Sequence, residues 1–63
     1  MKTATYYIDC DEGHDLYEHD RTDKNHLATN KITVVTKFIE RLMASVEQMQ
    51  NGETLEITVK QIK

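Results

Sequence analysis

The residues that could do chemistry crowd into the first half of the chain. Cys10, His14, His19 and His26 sit among the acids Asp9, Asp11, Glu12, Asp15, Glu18, Asp20 and Asp23. One thiol, three imidazoles and a run of carboxylates are the donor types of a metal centre. Structural zinc sites, however, want thiolates in close pairs, and Cys10 is the only cysteine. His14 and His19 are five positions apart, so on one strand they would point to opposite faces, which opposes shared ligation. Asp9-x-Asp11-x-Gly13-x-Asp15 has the start of a calcium loop. An EF-hand loop begun at Asp9 would need glycine where His14 stands and a bidentate glutamate where Asp20 stands. Cys10 and His14 are of the types that make a nucleophile and its base, yet no oxyanion donors, Gly-rich loop or third orienting residue accompany them. The histidines are therefore read as solvent-facing and Cys10 as a half-buried structural cysteine. No metal, cofactor or enzymatic activity is expected. A metal-stabilised regulatory module using Cys10 and the histidines stands as the alternative.

The acids themselves are distributed unevenly. Residues 1–23 carry seven acids against two bases, Lys2 and Arg21, whereas residues 24–63 carry six bases against four acids. The N-terminal part reads as a solvated acidic surface, and the C-terminal part as the apolar element beneath it. Charged side chains commonly protect a sheet edge from pairing with other chains. The same cluster, Asp11, Glu12, Asp15, Glu18, Asp20 and Asp23, is also the candidate partner-binding site. It would meet a basic protein surface and steer encounter by charge.

Size and composition narrow the classes. At 63 residues the chain is a single domain, 1–63, and a domain so small buries only about 60% of the surface its unfolded chain exposes. With one cysteine there is no internal disulfide, so a homodimer is the expected source of extra buried surface. Net charge is −3, and no Lys/Arg stripe supplies the basic footprint that nucleic acid requires, so direct nucleic-acid binding is not expected. No apolar run approaches the ~20 residues of a membrane span. The N-terminus lacks the apolar stretch of a secretory signal, and a cytoplasmic location is expected.

The elements that position these residues follow from periodicity. Residues 3–10 are rich in β-branched and aromatic types and predict a strand with Ala4, Tyr6, Ile8 and Cys10 on one face. Asp11-Glu12-Gly13 predicts a tight hairpin in which Gly13 takes positive φ. A weaker returning strand, 14–20, completes a hairpin over about 3–20 and has the look of a sheet edge, with Leu16 or Tyr17 buried. Residues 21–30 show no period and read as a loop pinned by Leu27 and Ala28. Ile32, Val35, Ile39, Leu42, Val46 and Met49, flanked by Phe38 and Met43, predict an amphipathic helix over about 32–50, burying that arc with Leu42 at its centre. Thr29 or Asn30 would cap it, and Asn51-Gly52 would stop it. The β-branched run Ile32 to Thr36 could instead begin extended. Leu55, Ile57 and Val59 alternate with Thr54, Glu56, Thr58 and Lys60 in a last strand, 53–62. The expected fold is α+β: β-β-α-β, a small, mainly antiparallel three-stranded sheet with the helix on one face. The last strand is placed beside the first and antiparallel to it.

From Phe38 onward, with Met49-Gln50-Asn51-Gly52-Glu53-Thr54-Leu55-Glu56-Ile57-Thr58-Val59 at its centre, the chain resembles the ends of many short bacteriophage and prophage proteins, which pair one helix with a closing strand. That resemblance implies a small accessory or inhibitor protein that acts by binding a host or defence protein. The expected function is thus a non-enzymatic protein-binding module docking through its acidic hairpin and loop. A purely structural homodimer is the third reading.

Overall fold

The structure, a computed structural model, describes residues 2–61. The chain is α+β, with one helix on one face of a four-stranded mixed sheet. Strand β1 (Lys2–Cys10) turns into β2 (His14–Glu18), and a short 3-10 turn at Asp23–Asn25 leads into β3 (His26–Thr29). Helix α1 (Lys31–Glu47) follows, then β4 (Leu55–Gln61). The spatial order is β3-β2-β1-β4. The expected continuation of the last strand to Ile62 lies partly outside the described residues.

The predicted three-stranded sheet lacks one member. Within the segment read as a loop, His26–Thr29 adds a strand antiparallel to β2, pairing Asp15 with Thr29 and Leu16 with Ala28. β2 is therefore interior rather than an edge. The extra strand also reverses the direction expected for the last one. From β2 directly, the helix would return the chain for a strand antiparallel to β1. From β3 it returns for a parallel one, and β4 pairs beside β1 in parallel, from Lys2↔Leu55 to Ile8↔Gln61. β4 thus has the expected neighbour, β1, but the opposite direction.

At the hairpin, the positive φ falls on Glu12 (φ 62) rather than Gly13. The β1–β2 register pairs Cys10 with His14 and Asp9 with Asp15, which puts Glu12 at the centre of the reversal. The helix begins at Lys31 with no extended lead. Asn30 caps it, its side-chain oxygen accepting from the Thr33 amide at 3.1 Å, while its own amide donates to the His14 carbonyl at 2.8 Å. That second bond ties the helix start to the sheet. The helix ends at Glu47, short of the expected Gln50. Gly52 (φ 92) serves the following turn, closed by the Glu53 amide donating to the Gln50 carbonyl at 3.0 Å.

The core is Tyr6, Leu16 and Val34, with Ala4, Ile8, Leu27, Ala28, Phe38 and Ile57 packed around it. Tyr6 and Phe38 meet edge to face at 5.0 Å between ring centroids, a geometry that aromatic quadrupoles favour. The predicted apolar arc of the helix is mostly not the buried one. Val34 is its one fully buried residue, Leu42 is only half-buried, and Ile32, Val35, Ile39, Met43 and Val46 are exposed. The helix lies nearest β3 and β2, the strands it follows and is tied to, and covers less of β1 and β4. A molecule of 42 × 19 × 18 Å has one narrow sheet face to offer, which is less than the arc needs.

Candidate functional site

The acids singled out in the sequence do not form one patch. Asp11 and Glu12 stand exposed at the hairpin tip, while Asp20 and Asp23 lie beyond the other end of β2. Several have internal partners. Asp15 contacts His26, Oδ1 to Nε2 at 2.9 Å, and the His26 ring also leans on Tyr17. Asp20 Oδ1 accepts from the Thr22 amide at 3.0 Å, from Thr22 Oγ1 at 2.6 Å and from Asn25 Nδ2 at 2.8 Å. Those hydrogen bonds from Thr22 and Asn25 lower the Asp20 pKa to about 2. Glu18 is half-buried opposite Tyr6, whose hydroxyl pKa is raised by burial first and by the Glu18 carboxylate second. Asp9 accepts a two-pronged contact from Arg21, with Nε to Oδ2 at 3.2 Å, and the guanidinium pKa is raised by those bonds. Much of the acidic segment thus organises its own loop.

The histidines and the thiol are dispersed as well. Cys10 is exposed, not half-buried as expected. It is the cross-strand neighbour of His14, with Sγ 3.6 Å from Nε2. His26 belongs to Asp15, and His19 takes a left-handed φ of 74 at the far end of β2. Among the described residues no group of three or more His, Cys, Asp or Glu is placed to hold a metal ion.

The feature that sequence reasoning misassigned is the helix surface. Between β3 and α1 runs an open groove of about 580 Å³, bordered on the helix by Thr33, Thr36, Lys37 and Glu40. Its charged groups, Lys37 and Glu40, pair with each other at 3.6 Å. At roughly 100° per residue, Thr33 and Lys37 fall on one side of Val34 and Phe38, and Val35, Ile39 and Val46 fall on the other. Because the first side faces β3, the second is turned toward the β1–β4 half of the sheet. There the molecule is apolar and open. Ile32 is 77% exposed, Met43 58%, Val35 and Val46 53% each, and Ile39 49%, with Val59 of β4 at 47%. The far border of this flank carries Thr36, Glu40 and Glu47, all exposed. The signal was present in the sequence as an apolar arc too wide for so small a sheet to cover.

No known protein family, curated protein or solved structure matches the chain.

Proposed function

We propose that the chain is a small non-enzymatic protein-binding module, of the inhibitor or adaptor kind, that takes its partner on the exposed flank of α1. One observation supports this above the others: five large apolar side chains lie uncovered along one side of a helix that fully buries only Val34. Single exposed apolar residues are ordinary, whereas a contiguous apolar stripe with a polar border marks an interaction surface.

The chemistry of the border selects the partner. Glu47, and Glu40 beside its ion-pair partner Lys37, line the solvent side of the stripe, and the chain as a whole carries −3. A complementary partner therefore offers an apolar centre rimmed by Lys or Arg, as a host or defence protein with a basic surface would. Asp11, Glu12 and Asp23, exposed acids whose carboxylates make no hydrogen bond or ion pair among the described residues, add to the field that draws such a surface in. Their role is steering, and the stripe supplies the contact.

The test is the double variant Ile39→Glu/Met43→Glu. Both positions are exposed, so it should melt near the wild-type temperature while losing whatever single protein the wild type captures from a lysate. Capture unchanged by the double variant would overturn the assignment, and so would a variant that does not fold.

A further inference from the structure

We propose that two copies of this chain join through the outer edge of β4, in an antiparallel two-fold register centred on Thr58, to make one continuous eight-stranded sheet. This goes beyond the helix-flank reading and uses the backbone edge of β4 rather than the helix, with Val59 at the boundary of the two.

The ladder on the inner side of β4 sets what the outer side can do. The Lys2 amide donates to the Thr54 carbonyl at 2.9 Å, with Lys2 in register with Leu55. In a parallel ladder that alternation turns the backbone groups of Glu56, Thr58 and Lys60 toward β1. The amides and carbonyls of Leu55, Ile57 and Val59 consequently point outward. Among the described residues no strand pairs with that edge. An edge whose centre is the β-branched run Ile57-Thr58-Val59, with the backbone groups of Leu55, Ile57 and Val59 turned outward, is a template for another strand.

The side chains choose which strand and which register. A two-fold through Thr58 sets Glu56 opposite Lys60 of the second copy and Lys60 opposite its Glu56, both on the outer face. On the helix side it sets Ile57 opposite Val59 and Val59 opposite Ile57, as pairs that exchange backbone hydrogen bonds. Shifting the centre by one residue pairs Glu56 or Lys60 with Thr58 instead. Shifting it by two stacks Glu56 on Glu56 or Lys60 on Lys60, which is repulsive. Only the Thr58 register satisfies both charges, and it is self-complementary, as an isologous contact must be. Both helices then lie on the same side of the joined sheet, so the dimer offers two copies of the apolar flank.

The register is testable by charge exchange. Sedimentation of the wild type should give about twice 7.4 kDa at micromolar concentration. Glu56→Lys alone, or Lys60→Glu alone, turns both attractive pairs repulsive and should weaken association about tenfold. The double exchange Glu56→Lys/Lys60→Glu should return it to within a few-fold of wild type. In a Cys10→Ser background, Thr58→Cys should oxidise to a covalent dimer. Facing residues at a non-hydrogen-bonded position have Cα atoms ~4.5 Å apart, inside the ~4.4–6.8 Å window of a disulfide. A 7.4 kDa species at every concentration would overturn the two-fold while leaving the helix-flank reading intact. A dimer in which the double exchange fails to rescue either single variant would overturn the register.

Discussion

Asp9 and Asp15 face each other directly across the β1–β2 ladder, and each carboxylate has its own partner from the segment that follows β2. Arg21 reaches back to Asp9, and His26 meets Asp15. Like charges directly opposite in an antiparallel pair are destabilising. The 19–26 segment therefore completes the hairpin electrostatically as well as supplying the first residue of β3. Asp9 Oδ1 is buried with no hydrogen-bond partner among the described residues, so the Arg21 contact to Oδ2 is the bond that offsets its burial.

Removing that contact should expose the repulsion. Arg21→Gln is expected to melt lower than wild type at neutral pH, with the gap narrowing as salt rises and screens the two carboxylates from each other. Adding Asp15→Asn to Arg21→Gln should recover part of the loss. Thermal melts of the three proteins at low and high salt check this, and a gap indifferent to salt and to Asp15 would contradict it.

Asp20 makes a pH-dependent contribution of definite sign. Its folded pKa is held at about 2, below the ordinary 3.8, by hydrogen bonds from Thr22 and Asn25. A depressed carboxylate contributes stability that is fully present above the unfolded value and is lost as pH falls through the folded one. Loss is thus expected between about pH 4 and pH 2. The Asp20 carboxyl carbon, followed by NMR, should titrate near 2, and Asp20→Ala should flatten the stability profile in that window. A midpoint near 3.8 would contradict the loop geometry.

Glu12 occupies the left-handed region at φ 62, where an L side chain is strained and glycine is not. Glu12→Gly should stabilise the chain by about 1 kcal/mol, the order of the left-handed penalty. Denaturant titration measures it, and a destabilised variant would mean that the hairpin apex lies elsewhere, as at Gly13.

The parts of the fold that could be read from the residues were those with a long, regular period. β1, β4 and the helix follow from alternation and from the 3.6-residue repeat. β3 was not legible, because His26-Leu27-Ala28-Thr29 is too short to show alternation and enters beside a register shift between Leu16 and Tyr17. The direction of β4 depended on β3 and was lost with it. The helix face was misassigned for a different reason. Periodicity marks which residues share a side, but not how much of that side a sheet can cover, and the tie from Asn30 to His14 holds the helix over β2 and β3. The internal partners of Asp9 and Asp20 come from loop geometry, and that of Asp15 from the pairing of β3 with β2, neither of which residue types alone specify.

The central claim is that Ile32, Ile39 and Met43 are free on the folded chain while Leu16 and Val34 are not. Methyl NMR with a soluble paramagnetic agent measures this directly. The Ile32, Ile39 and Met43 methyls should broaden strongly, and those of Leu16 and Val34 should stay sharp. Protection of Ile39 and Met43 equal to that of Leu16 would mean that the helix presents its whole apolar arc to the sheet, and the binding surface would not exist.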